Sequence, residues 1–467
     1  MTAMQTLAGG EIAELREGIR GTVLAPGDPG YDEARTLWNG MFDDVHPALV
    51  VRCAGTADVI RTIELARSEG LEIAVRGGGH SIPGFSTTEG GIVIDLSLMK
   101  GVRVDPATRR VVAEPGLLWQ DLDAETQAFG LAATGGLVSS TGVSGFTLGG
   151  GIGWLVRKQG LACDHLVGAD VVTADGRLVR AGANGDPELL WGLRGGGGNF
   201  GVVTALEFDL QPVGPMVYGG IIVFAGERAA DVCDFFADWT AGDLPDELTT
   251  ILNLTTAPPA PFLPESVHGL PVAVVAACYA GPAEEGERAL APLRGLGAPV
   301  ADLLGPLPYV AMQQLLDPLW GRGARNHMKA GYLADLGSGA KDALLRGWDA
   351  KPSPMSELHV HHMGGAAARA GSGTAAFPHR DAPYVVNFIS RWTDADTDDE
   401  QIGWGRDVYA SLAEHTTGGA YINFLSDEGP DRVRAAYGDE AYARLQALKR
   451  TYDPDNAFHR NQNVVPA

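Results

Sequence analysis

The side chains best suited to chemistry stand in two short stretches. In VRGGGHSIPG (75–84) one histidine, His80, directly follows three glycines, and in ELHVHHMGG (357–365) His359, His361 and His362 fall within four residues. A glycine run lets the main chain take positive φ and approach another backbone or an anion closely, since no Cβ intervenes. Its successive N–H groups can then line one concavity for phosphate. A nucleotide-triphosphate loop would add a lysine followed by Ser or Thr, and this stretch has none. In an extended segment residues two apart share a face, so His359 and His361 point one way and His362 the other. Three such histidines could also ligate a metal, but no carboxylate or cysteine is spaced to complete a set. No metal is expected.

Several kinds of element must position these stretches. From 48 to 104, short β-branched runs (ALVVRC, EIAVRG, GIVIDL) alternate with one helical segment, TADVIRTIELARSEG. Thr56 is the expected N-cap of that helix and Gly70 its stop. From 110 to 210, the strands VVAEPG, DVVTADGRLV and VVTALEFDL are set between the glycine-rich turns TGVSGFTLGGGIGWL and WGLRGGGGNFGVV. The proline-rich APPAPFLPES (257–266), with longer strands and amphipathic helices around it, marks a different domain from near 213. PVAVVAACYA, SELHVHHMGGAAARA and APYVVNFISRW read as sheet strands, and GERALAPLRGL and EAYARLQALKR as helices. The expected division is 1–212, in lobes of about 1–104 and 105–212, then 213–414, then a return over 415–467 that completes the first domain.

Composition narrows the partners. A chain of 467 residues exceeds what one hydrophobic core usually serves. It is 45% hydrophobic and 20% charged, as in globular proteins, and its 64 glycines cluster, so they mark sites rather than disorder. With 35 Lys and Arg against 58 Asp and Glu, the net charge of −23 repels nucleic acid and anionic membranes. Cys53, Cys163, Cys233 and Cys278 lie far apart with no C-x-x-C, which suits buried free thiols better than zinc or disulfides. The opening MTAMQTLAGGEIAELREG has no basic region followed by an apolar one, and no apolar run approaches the length of a membrane span. A cytoplasmic location is expected.

Six motifs occur in order along nearly the whole chain: RGGGHS at 76–81, Asp95-Leu96, GVSGFTLGGGIG at 142–153, GNFGVVT at 198–204, AFPHRD at 376–381, and Y-D-P-D-N-x-F-x-x-N-Q-N at 452–463. In these the chain resembles the covalent FAD-linked oxidases of the vanillyl-alcohol oxidase superfamily, in the berberine-bridge-enzyme-like branch. The resemblance implies an α+β fold. A two-lobed FAD-binding domain of the PCMH type, closed by the C-terminus, would meet a substrate domain whose large antiparallel sheet, flanked by helices, lies over the flavin. It also implies that His80 is bonded to the flavin 8α-methyl carbon, with Gly77, Gly78, Gly79 and Ser81 along the pyrophosphate and Arg76 in the same cofactor-binding motif. Gly142, Ser144, Gly145, Gly149, Gly150 and Gly153 fall in one cofactor-binding turn, and Gly201 and Val203 in another. Asn461 and Asn463 suit hydrogen bonds around the isoalloxazine ring.

The chain departs from the family in two places. Many relatives attach FAD a second time through a cysteine at the position of Val138, and valine cannot form that bond. A single attachment follows, with Cys163 a core thiol. Alcohol- and sugar-oxidising relatives carry Y-x-N-Y, whose second tyrosine accepts the substrate proton, whereas this chain has Tyr421-Ile422-Asn423-Phe424. Tyr421, His359 and His361 remain as catalytic candidates. Tyr421, by alternation, faces away from the residue beside it and serves either chemistry or structure. His379 and Arg380 resemble a loop that shapes the substrate pocket, and equally read as a surface loop with a solvated charge pair. Tyr309 and Gln313 resemble cavity-lining residues, yet their spacing also fits a core face. Phe424 completes the expected pocket.

The resemblance implies an oxidase that moves two electrons from a small organic substrate, of secondary-metabolite type, to dioxygen with release of hydrogen peroxide. The single link and the missing tyrosine are also shared with hydroxynicotine oxidases, which oxidise an amine, and with the enterocin-pathway flavoprotein, which oxygenates a polyketide. A flavin-binding protein with a decayed site is the non-enzymatic alternative.

Overall fold

The computed structural model describes residues 9–371 and 373–467; residues 1–8 of the opening stretch lie outside the described residues. The chain forms three main sheets. The first has the order β1 (Thr22–Leu24), β2 (Leu49–Arg52), β4 (Ile92–Asp95), β3 (Ile73–Arg76). β4 pairs in parallel with both β2 and β3. Such strands are buried on both faces, which is why they read as unbroken apolar runs. Val51, Ile92 and Ile94 pack with Val59, Ile63 and Ala66 of the helix Thr56–Glu69, while Val50, Ala74 and Val93 pack with Tyr31 and Ala34. The helix is capped differently from the expectation: Gly55 is its N-cap, Thr56 is already helical and makes no capping bond, and Gly70 ends it at φ +64°.

The second sheet is antiparallel, in the order β5 (Val102–Asp105), β6 (Arg110–Ala113), β10 (Val202–Asp209), β8 (Leu166–Val172), β9 (Leu178–Gly182). β7 (Leu131–Ala132) and β11 (Gln211–Pro212) form a separate short pair. The C-terminal helices Pro430–Tyr437 and Asp439–Tyr452 share this lobe's core, with Val433, Tyr437, Leu445 and Leu448 among Trp119, Val171, Leu206 and Phe208. Buried Lys449 fixes the tail. Its ammonium donates to the carbonyls of Asn199 and Phe458 and to Asp453, all within 2.8 Å.

The third sheet is antiparallel throughout. It runs β15 (Ala301–Asp302), β12 (Met216–Ala225), β14 (Pro271–Tyr279), β13 (Leu248–Thr256), β18 (Glu357–His362), β19 (Tyr384–Trp392), β17 (Arg325–Leu333), with β16 (Gly305–Pro308) also on β12. Helices Ala229–Thr240, Ala283–Gly295, Ser338–Asp349 and Asp398–Ser411 cover one face. Leu358 and Val360 point into that helical layer, so by the two-residue period Glu357, His359 and His361 point to the other face, toward the glycine turns. No helix among the described residues is long and apolar enough to cross a membrane.

Candidate functional site

The first glycine turn leaves the end of β3. Arg76, opposite Asp95 in the parallel register, donates to its carboxylate at 2.7 Å and anchors the turn's root. Beyond it the turn meets the 142–149 turn at backbone distance: a Cβ on Gly78 would stand 2.4 Å from the Gly142 nitrogen, and one on Gly142 2.4 Å from that of Gly78. Both positions require glycine. A Cβ on Gly145 or Gly198 would instead meet nothing, because both border open space. Among the described residues, the N–H groups of Gly78, Gly79, His80 and Ser81 have no protein acceptor. Four N–H groups in succession beside an open cavity suit an anionic group.

These turns wall a cavity of about 360 Å³, together with Phe458, Arg460, Asn461 and Gln462 and the exposed face of the third sheet. His80 is in its wall. Its ring stacks on Trp38 at 5.0 Å and 18°, and Nε2 lies 3.1 Å from the Ser140 hydroxyl. Burial, with the nearby Arg322 charge, pushes its pKa down to about 3, so the imidazole is neutral across the physiological range. The aromatic column continues from Trp38 to Trp320 at 6.0 Å and reaches the edge of His359 at 6.3 Å.

His359, His361, Asn387, Ile389 and Met328 form the sheet-side wall, faced by Tyr421, Asn423 and Phe424. His362 turns away and sits 3.2 Å from Arg157. His361 has no hydrogen-bond partner on either ring nitrogen. Burial first, and the charge of His359 second, hold its pKa well below the usual value. One carboxylate does join the pair: Glu357 Oε1 lies 3.4 Å from His359 Nε2. This neighbour, two residues earlier on the same strand, shares their face. Among the described residues no group of three His, Cys, Asp or Glu is placed to hold a metal ion.

Gly77, Gly78, Gly79, Ser81, Gly142, Ser144, Gly145, Gly149, Gly201, Val203 and Asn461 also border the cavity. Arg76, Gly150, Gly153 and Asn463 do not. A Cβ on Gly150 would strike Phe377, and one on Gly153 would fall 1.6 Å from the Gly135 carbonyl, so these glycines serve packing. Tyr309 and Gln313 are fully buried away from the cavity, Tyr309 in an apolar cluster and Gln313 donating to Asp123 at 2.9 Å. They form a core face, not a substrate pocket. His379 lies outside the wall, 5.2 Å from the Tyr332 ring, and Arg380 clamps Asp164 with two bonds of 2.9 and 2.6 Å. That pair is mostly buried rather than solvated. The 421–424 segment is a 3-10 turn, not a strand, so alternation does not separate its residues, and Tyr421 and Phe424 meet edge to face at 4.7 Å. Tyr421 Oη accepts from Gly151 N, Ile152 N and Asn423 Nδ2.

Sequence reasoning missed Trp38, Trp320, Glu357 and Arg460. Arg460 borders the cavity, its guanidinium donates to the Thr87 carbonyl at 2.9 Å, and its Nε is buried without a hydrogen bond. Its place inside the C-terminal NQN motif was the available signal; the tryptophans sit in irregular segments that offer none.

The FAD binding domain family matches residues 47–182, and the berberine and berberine-like family matches residues 420–465. Over 461 residues the chain is 31% identical to an FAD-linked oxidoreductase of Dictyostelium discoideum, covering 97% of each. Over 467 residues it is 31% identical to the (R)-6-hydroxynicotine oxidase of Paenarthrobacter nicotinovorans, covering 96% of this chain and 97% of the relative. The crystal structure of 6-hydroxy-D-nicotine oxidase from Arthrobacter nicotinovorans superposes with a TM-score of 0.87 at 31% identity, over 96% of this chain and 98% of the other. BBE-like 1 of Physcomitrella patens, at 22% identity and a TM-score of 0.86 over 97% and 98% of the two chains, shares the fold.

Proposed function

Because this chain belongs to the FAD-linked oxidoreductases that combine an FAD binding domain with a berberine-like C-terminal segment, we propose that it is an oxidase carrying FAD covalently on His80 alone. It takes two electrons from a small organic substrate and delivers them to dioxygen, with release of hydrogen peroxide. Bound FAD supplies the two-electron acceptor. The observation that carries this reading is the shared cavity: a neutral His80 held by Trp38 and Ser140 stands in one wall, and His359 and His361 stand in another. The unpaired N–H groups of residues 78–81 suit the pyrophosphate. Arg460 adds the positive charge, and Asn461 and Gln462 border the cavity with polar groups for the ring system. Val138, in an apolar cluster with Trp38 and Ile82, leaves no thiol for a second bond.

Leu316, Trp320, Met328, Ile389 and Phe424 are apolar, and beside them His359, His361, Asn387, Tyr421 and Asn423 carry polar groups. A flat, largely apolar substrate with one or two polar groups suits this lining. His359 or His361 would accept its proton. Phe424, which has no proton to exchange, keeps open the second reading of an amine that needs no strong base, as the name of the hydroxynicotine oxidase relative suggests. An oxygenase of a polyketide-like substrate is the third.

The four cysteines are unpaired and buried, which suits the cytoplasm. We take residues 1–212 with 415–467 as the FAD-binding domain and 213–414 as the substrate domain. The test is anaerobic bleaching of the flavin across alcohols, amines and phenolic polyketides. Bleaching by one class, followed by reoxidation in air with stoichiometric peroxide, is expected. A flavin that no compound reduces contradicts the enzyme, and reoxidation that leaves oxygen in the product favours the oxygenase.

A further inference from the structure

The reading above leaves two histidines as proton acceptors, and their surroundings differ. His359 Nε2 lies 3.4 Å from Glu357 Oε1, and the other oxygen of this buried carboxylate accepts from Asn253 Nδ2 at 2.6 Å. Asn253, His359 and Asn387 stand directly opposite one another on β13, β18 and β19, so one row of the sheet fixes the arrangement. His359 Nε2 is buried and makes no hydrogen bond in the structure, the Glu357 carboxylate being its charged neighbour at 3.4 Å, and the imidazole lines the cavity. His361, its ring 5.7 Å away, has no such partner.

We propose that Glu357 is a positioning residue that makes His359, rather than His361, the proton acceptor of the reaction. The proposal rests on the oxidase reading, in which the substrate loses a proton as it loses two electrons. A proton on Nε2 faces the Glu357 carboxylate across 3.4 Å and is favoured there by its charge, which leaves the lone pair of Nδ1 for the substrate. When a substrate O–H bond breaks, its electron pair stays on oxygen, the proton forms a new N–H bond at Nδ1, and the resulting imidazolium is matched by the carboxylate behind it.

Electrostatics favours this division. Burial pushes Glu357 up, but the adjacent His359 and the hydrogen bond from Asn253 more than offset this, and its carboxyl is held below the usual range. His361 is kept neutral by burial and by His359. The other charged or titratable groups facing the pair are few. From β19, Arg391 sits 5.2 Å from both the Trp38 and Trp320 rings and donates to Asn326 and the Gly321 carbonyl. From the 421–424 turn comes the Tyr421 phenol, and from the glycine turn His80. β13 contributes neutral Asn253 and β17 neutral Met328.

Imidazole NMR of the holoprotein tests this directly. In the unmodified chain, neutral His359 should be the Nε2–H tautomer; an Nδ1–H tautomer would overturn the proposal without any variant. Glu357→Leu removes the carboxylate that faces Nε2, so the neutral His359 ring should lose its Nε2–H preference, which a merely structural role would not change. Glu357→Gln removes the charge that matches the imidazolium, so anaerobic flavin reduction should slow about tenfold. His359→Ala should slow reduction about a hundredfold and His361→Ala by less than about tenfold. An unmoved tautomer in Glu357→Leu, or an unchanged rate in Glu357→Gln, would sink the role of Glu357. A changed tautomer with no rate loss in His359→Ala would leave the pair's geometry intact and instead count against a base in the oxidase reading, and with it against this assignment.

Discussion

His80 and Trp38 stack face to face, their ring centroids 5.0 Å apart and their planes 18° from parallel. The indole N–H of Trp38 donates to the Trp320 carbonyl at 2.9 Å, and the Arg391 guanidinium lies against both indoles. The plane of the imidazole is therefore set by a residue some forty positions away in sequence, itself in contact with Arg391 of β19 in the third sheet.

If flavin attachment needs that plane, Trp38→Ala should lower the fraction of flavin that stays with acid-precipitated protein severalfold. Trp38→Phe, which keeps a stacking ring, should preserve most of it. Absorbance of pellet and supernatant measures both. Equal retention in the two variants would show that the stack is packing only.

Tyr421 is expected to act on stability more than on chemistry. Its hydroxyl accepts the N–H groups of Gly151 at 2.9 Å and Ile152 at 3.2 Å, and burial is the main cause that pushes its pKa well above the ordinary tyrosine value. Tyr421→Phe leaves those donors without a partner, at about 1–3 kcal/mol each. Denaturant unfolding should show that loss, while flavin reduction slows by less than about tenfold. Unchanged stability with a hundredfold slower reduction would make Tyr421 the base.

Asp123 gives a pH dependence of known sign. Burial pushes its carboxyl up to about 7, only partly opposed by the Gln313 hydrogen bond, against an ordinary value near 3.9. Between about pH 4 and 7 the folded state thus holds a proton that the unfolded chain has released. This contribution is full below pH 4 and is lost as pH rises toward 7. Asp123→Asn should flatten that limb and be more stable than the wild type at pH 8, by about 1.4 kcal/mol for each unit of the shift. Lower stability of the variant at pH 8 would contradict the assignment.

Local chemistry made part of the site legible in sequence. The glycine run before His80 had to be a turn where backbones meet, and the period of the strand separated His359 and His361 from His362. The FAD-binding and berberine-like matches and the superposition bear out the expected family and fold. Tertiary context decided the rest. Tyr309 and Gln313 have a helical spacing that suits a core or a cavity equally, and only the neighbouring Asp123 carboxylate assigns them to the core. Tyr421-Phe424 was read with a strand's period where the chain makes a 3-10 turn. Glu357 lies on the same strand and face as the two histidines, but a residue's pairing with one imidazole depends on side-chain placement that the spacing alone does not show.

The covalent flavin is the central claim, and peptide mass spectrometry of the acid-denatured, proteolysed protein tests it most directly. Val138 stands in the cavity wall where no thiol is available, and Cys163 is fully buried in a separate apolar cluster, with burial pushing its thiol pKa far up. Digestion should therefore yield one flavin-bearing peptide, containing His80 and no cysteine adduct, and His80→Ala should release all its flavin on acid precipitation. A colourless wild-type pellet with free FAD in the supernatant, or a flavin found on a Cys163 peptide, would contradict the account.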